Sequence, residues 1–165
     1  KGRVELQSLS LVDDLTGLYN RKGFMLFAQQ QLSIAIRTKR GMILFFIHIE
    51  GLNQISEKFG LQYEDLAKIE TANILKEVFR ESDIIARHSK DEFTAIAIES
   101  FDANNEIIIA RLQDELEIRN KQENRLYTLS LCIGTAYYDT EELCSIDELI
   151  NRAKESMTEQ KKKTL

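Results

Sequence analysis

The 165-residue sequence has no proline and no tryptophan, two cysteines and only seven glycines. Each shortage excludes something. Without proline, no helix end or turn is set by a locked φ angle, so caps, glycines and polar residues must punctuate the chain. Cys132 and Cys144 form neither a metal-spaced pair nor a disulfide framework. Cys132 lies in a strand-like run and reads as a small buried apolar residue, which fits a reducing cytosol, so a cytoplasmic domain is expected. No apolar run reaches the roughly 18 residues of a membrane span, and no signal-peptide pattern opens the chain. Membrane contact within this segment is therefore not expected. Positive charge is also short: 22 Lys and Arg against 27 Asp and Glu leave a net charge of -5. Tracking nucleic-acid phosphates needs a basic surface, so a general DNA or RNA binder is excluded. The "KKK" at 161–163 reads as a solvated tail. What is present, 43% hydrophobic and 30% charged residues, is the ordinary composition of one soluble domain with a sizeable core.

Patterning then divides the chain. Val4, Leu6, Leu9 and Leu11 suggest that residues 1–12 are the end of a preceding signalling helix or linker, with the domain occupying 13–165. Residues 21–40 carry a helical stripe of Phe24, Phe27, Ala28, Leu32 and Ala35. "MILFFIHI", residues 42–49, is a continuous apolar run of strand length, as expected for a central strand covered on both faces. Residues 61–80 read as a long helix with Leu66, Ile69, Ala72, Ile74, Leu75 and Phe79 inward. Helices are also expected at 103–121, through Ile108, Leu112, Leu116 and Ile118, and at 146–162. "LYTLSLCIGTAY", residues 126–137, is strand-like. Strand signals on both sides of "ARHSKDEF", residues 86–93, make 84–100 a hairpin with Ser89–Asp91 at its turn. This order predicts an α/β (α+β) domain: a central mixed sheet of about five strands flanked by helices on both faces. The hairpin tip is unusual, because it has no glycine and places two acids directly after a lysine.

"DDLTGLYNRKGF", residues 13–24, resembles the opening signature of GGDEF domains, the diguanylate cyclases, at Asp13, Leu15, Thr16, Gly17, Leu18, Asn20 and Arg21. The hairpin falls where that family carries its Gly-Gly-Asp/Glu-Glu-Phe tip, and here the tip reads Ser89-Lys90-Asp91-Glu92-Phe93. "RESDIIAR", "LSLCIGTAY" and "IDELINRAKES" match in order and spacing, so the resemblance spans roughly residues 12–157. It implies a nucleotidyl-cyclase-like, polymerase-palm-like fold. The implied activity is the joining of two GTP molecules into cyclic di-GMP across two facing domains. Such phosphoryl transfer relies on positioning and on metal ions, here Mg²⁺ or Mn²⁺ if any activity remains.

The resemblance also locates the departures. Its strand-end Asp, a metal ligand, is His48 here, followed by Glu50 at the second acidic position. The adjacent backbone carbonyl that helps hold metal belongs to Ile49. Ser56 stands where an Asn reads guanine, and Leu61 where a His follows Gly60. Asp65 falls at the second guanine-reading carboxylate and Lys154 at a phosphate-binding lysine, but Thr158 replaces the next Arg. Ser89 and Lys90 put side chains where two glycines let a triphosphate approach the backbone. Asp91 and Glu92 keep the acidic pair, as a vestige of the metal-binding and catalytic acids. Mg²⁺ prefers hard oxygen ligands, so His48 is no substitute for a carboxylate; it reads first as a structural residue of an apolar strand. Lys90 reads either as a phosphate attractor or as a solvated turn lysine.

Arg80 and Asp83 form an Arg-x-x-Asp pair six residues before the tip. In the family this pair marks an inhibitory site for cyclic di-GMP; the bland alternative is a helix-end salt bridge. Three functions are carried forward. The first is a catalytically inactive regulatory domain that dimerises with itself or another domain, through the family's interface or an upstream helix, or senses cyclic di-GMP. The others are a weak or divergent cyclase that binds GTP, and a structural module without a nucleotide ligand.

Overall fold

The structure, a computed structural model, describes residues 10–164. Val4, Leu6 and Leu9, assigned above to a preceding helix, lie outside the described residues. The described start of the chain is not helical, and Val12 bridges to Tyr19 instead.

Helix α1 (Arg21–Thr38) begins where the Asn20 side chain accepts a hydrogen bond from the Gly23 amide at 2.9 Å, an N-cap that stands in for the missing proline signal. Strand β1 (Met42–Glu50) follows, then helices α2 (Leu52–Phe59) and α3 (Leu61–Val78). The hairpin is β2 (Ile84–Arg87) and β3 (Glu92–Ala97). Helix α4 (Asn104–Asn120), strand β4 (Ser130–Tyr138) and helix α5 (Ile146–Thr164) complete the order.

The strands lie in the order β2-β3-β1-β4, so β1 is interior, as its apolar run requires. Its side chains alternate between two cores. Ile43, Phe45, Ile47 and Ile49 pack with residues of α2, α3 and α4, while Met42, Leu44 and Phe46 pack with α1 and α5. The expected mixed sheet of about five strands is instead four antiparallel strands. Beside β2, Tyr19 makes one isolated parallel bridge to Ala86, too short to count as a fifth strand. Tyr19 follows the Asp13–Leu18 turn and bonds along the β2 edge through Ile85 and Arg87.

Three further expectations change. Helix α2 went unseen, because in eight residues only Leu52 and Ile55 are buried, too few to show a period. It is bracketed by Gly51 and Gly60, both with positive φ. Leu66, expected inside, is exposed, and so is Ile118 on α4. The α3 stripe rotates to bury Glu64 and Lys68 with Ala67, Thr71, Ala72, Ile74, Leu75 and Val78.

Candidate functional site

The site lies where the end of β1 and the hairpin tip meet the α2–α3 corner. Backbone bonds place the tip: the Ile49 amide donates to the Asp91 carbonyl at 2.9 Å, and the His88 and Ser89 amides both donate to the Glu92 carbonyl. Register pairs His48 with Glu92 on one side and Cys132 on the other. No tip residue has a positive φ, which is why a turn without glycine closes here without strain.

His48, Ile49, Lys90 and Asp91 line a shallow cavity of about 280 Å³ together with the start of α2. Within it His48 Nε2 is 2.9 Å from Asp91 Oδ2, and His48 Nδ1 is 3.0 Å from Lys161 Nζ. A lysine ammonium can only donate, so Nδ1 accepts and Nε2–H donates to Asp91. Lys161 is thus bonded to His48, not part of a solvated tail as its sequence context suggested. Ser89 Oγ donates to Glu92 Oε1 at 2.7 Å. The acidic pair is therefore engaged by neighbouring side chains.

Lys90 is a second internal link. Its Nζ lies 3.2 Å from Glu64 Oε1, and Lys68 Nζ reaches the same oxygen at 3.3 Å. Ser56 also hydrogen-bonds to Glu64. The Glu64 carboxylate is buried. Burial alone would raise its pKa, but the bonds from Lys90, Lys68 and Ser56 hold it below the ordinary carboxylate range. Ser56 and Lys90, placed by the resemblance on a nucleotide, meet on an acid of their own chain. Asp65 is largely exposed, 3.7 Å from Lys68. Lys154 stands apart, its Nζ 5.2 Å from the centre of the Phe46 ring. Among the described residues no group of three His, Cys, Asp or Glu side chains could hold a metal ion. Two metals needing several hard oxygen ligands do not fit a site whose tip carboxylates are engaged, Asp91 by an imidazole and Glu92 by the Ser89 hydroxyl.

The opening signature has a structural task. Asp13 Oδ2 accepts from the Thr16 amide and hydroxyl at 3.0 and 2.7 Å, and Asp13 Oδ1 from Arg87 Nη2 at 2.7 Å. Lys76 Nζ donates to the Thr16 carbonyl at 3.1 Å. Burial pushes the Asp13 carboxyl up, yet the Arg87 and Thr16 bonds bring it below its ordinary value.

Arg80 and Asp83 are brought together. The Arg80 amide and Nε donate to Asp83 Oδ2 at 2.9 and 3.3 Å, and Nη2 donates to Oδ1 at 3.1 Å. Arg80 Nη2 also reaches the Ile98 carbonyl at 2.6 Å, while the Ile98 amide donates to Asp83 Oδ1 at 3.1 Å. The Asp83 side chain is 3% exposed and that of Arg80 58% exposed. Asp83 thus positions an arginine whose outer face is open. Cavities of about 480 and 380 Å³ flank it, the second lined also by Phe101, Ile107 and Arg111.

Sequence reasoning missed Glu64, Lys68, Lys161 and Arg111. The i,i+4 spacing of Glu64 and Lys68 was a usable signal; Arg111, far along the chain from Arg80, gave none.

Comparison with known proteins agrees with this fold and these motifs. The family model described as diguanylate cyclase, GGDEF domain, matches residues 10–164. The chain is 29% identical over 153 residues, 91% of its length, to the cyclic di-GMP phosphodiesterase NbdA of Pseudomonas aeruginosa. It is 33% identical over 138 residues, 81% of its length, to the bifunctional diguanylate cyclase/cyclic di-GMP phosphodiesterase MucR of the same organism. It spans 19% and 20%, respectively, of the length of these curated relatives. Among solved structures, the FimX GGDEF domain from Pseudomonas aeruginosa superimposes with a TM-score of 0.79 at 26% identity, covering 92% of this chain and 93% of that one. The GGDEF domain of DgcB from Caulobacter crescentus, solved with c-di-GMP, gives 0.84 at 20% identity, over 93% and 89% of the two chains. With a family match across all of the described residues, and a fold that superimposes on these domains, the chain belongs to the GGDEF-domain family.

Proposed function

We propose that this GGDEF domain is a catalytically silent regulatory module of a cyclic di-GMP signalling protein. The carrying observation is that the nucleotide corner is occupied from within. Lys90 closes onto Glu64 at 3.2 Å, where the family's glycines leave room for phosphates, and His48 holds Asp91 where a metal would bind. A ligand entering this corner must separate the buried Glu64 from Lys90 and compete with Ser56. A metal must displace an imidazole from Asp91 and then find further oxygen ligands.

The first test is chemical. Purified domain incubated with GTP and either Mg²⁺ or Mn²⁺ is expected to yield no cyclic di-GMP by chromatography. The change His48→Asp alone is expected not to restore synthesis, because Lys90 and Glu64 still close the corner. Turnover on the order of 1 per second would overturn the reading in favour of a divergent cyclase.

Arg80 supports a specific regulatory task, the sensing of cyclic di-GMP. Its guanidinium is largely exposed, held from behind by Asp83, and flanked by two cavities with Arg111 on one rim. Two arginines and the exposed Phe101 and Ile107 suit a ligand carrying phosphates and flat bases. Association with a second GGDEF domain belongs to the same reading, and sedimentation with and without cyclic di-GMP tests it.

A further inference from the structure

Two consecutive tip residues are fastened to different helices. Lys90 is tied to α3 through Glu64, and Asp91 is tied to α5 through His48 and Lys161. Among the described side chains, the α5 link is the last on its face of the helix. Ala153 and Met157 are buried against the sheet, and Lys161 follows at the same spacing of four, while Thr158 and Glu159 face solvent. Close packing fixes α5 at the middle of β4: a Cβ on Gly134 would overlap the Ala153 carbonyl oxygen. Beyond Met157, Lys161 carries a bond across to His48 of β1.

We propose that Lys161–His48–Asp91 is a strut through which the last turns of α5 hold the hairpin tip shut. The proposal deepens the reading of the tip as a closed site, by naming what controls its closure. Lys161 donates into Nδ1 and thereby fixes the proton on Nε2, which donates to Asp91. The imidazole is locked by a bond at each end. When α5 is drawn away beyond Met157, Nδ1 loses its donor, the ring is free to turn, and Asp91 loses both its hydrogen bond and the nearby cation. Of the two side-chain ties from the tip to helices, only the Lys90–Glu64 bond is then left beside the backbone bonds, and its lysine is 58% exposed. Anything that grips the end of α5 therefore governs access to the corner between the tip and α3.

Hydrogen exchange on the intact 165-residue chain tests this, because local opening is read at individual amides. The reporters are the Ile49, His88 and Ser89 amides, bonded to the Asp91 and Glu92 carbonyls. Lys161→Met is expected to speed their exchange about fivefold or more, and Lys161→Arg to restore protection in part. Since coupling is reciprocal, His48→Asn should speed exchange at the Met157–Lys161 amides by a similar factor. Smaller changes at the reporters overturn the strut. So does an equal rise at Phe45 in the middle of β1, because Lys161 would then be a general stabiliser. The outcome is separate from the cyclase assay: synthesis of cyclic di-GMP overturns the silent-domain reading, whereas unchanged exchange overturns only the strut.

Discussion

Glu64 shows how one buried residue can reorganise a site. Its carboxylate receives Lys68, Lys90 and Ser56, and the three contacts differ in weight. Lys68, with a side chain 9% exposed, cannot regain water if Glu64 is removed, whereas Lys90 can swing outward. Removing one partner of a buried pair typically costs about 3–5 kcal/mol, and exposed pairs contribute about 1 kcal/mol or less. Glu64→Gln should therefore lower stability in urea by about 3 kcal/mol, and adding Lys68→Met should recover much of it. Lys90→Met alone should change stability by less than about 1 kcal/mol. The pH dependence follows from the lowered carboxyl. A folded-state pKa below the unfolded one adds stability that is present above the ordinary value, about 4.3, and is lost as pH falls through the folded value. Wild type should lose stability over that acid range more steeply than Glu64→Gln, with the Asp13 contribution remaining in both. Acid titration followed by circular dichroism checks the difference.

Among the elements, those whose apolar residues alone decide their placement were legible. The run from Met42 to Ile49 had to be an interior strand, because residues of both parities are apolar and only a two-sided core can bury them. Helix α2 was not legible, since two glycines and two buried residues define it rather than a stripe. Helix α3 was found, but its inward face was misread: a pattern reader places Leu66 inside and charges outside, and here the Glu64–Lys68 pair satisfies itself and displaces Leu66 to solvent. The α5–β4 crossing depended on Gly134, whose meaning lies in a neighbour distant in sequence. Gly134→Ala drives a methyl into the α5 backbone at Ala153 and Met157, which cannot yield as a side chain does. A loss of about 3 kcal/mol or more is expected on thermal melting. Gly60→Ala meets open space and carries only the strain of a φ of 107°, so about 1 kcal/mol is expected. If the two variants melt alike, the crossing is more pliable than its geometry indicates.

On the scale of the whole molecule, family and fold were legible because signature residues such as Asp13, Thr16 and Gly17 build the frame around β2. That His48, Ser56 and Lys90 depart from the family's pattern was legible in the sequence. Their bonding partners were not, because Lys161 and Glu64 reach the site from other helices and only the folded chain brings them there. Arg80 lies away from that corner, on the α3–β2 connection, with its own cavities. It decides whether the molecule is a sensor. Asp83 is consumed by the Arg80 amide, the guanidinium and the Ile98 amide, so Asp83→Asn should loosen the loop as well as misplace Arg80. Arg80→Ala is the cleaner change: its side chain is largely exposed, and removing it should shift the melting temperature little. Charge-assisted bonds from an arginine are worth about 1.5–3 kcal/mol, so cyclic di-GMP binding should weaken about ten- to a hundredfold on calorimetry. Arg111→Ala should weaken it similarly if both rims of the cavity engage one ligand. Absence of binding by wild type up to about 1 mM, a free energy weaker than about -4 kcal/mol, would make Arg80 and Asp83 a loop clasp and leave the domain an interaction module.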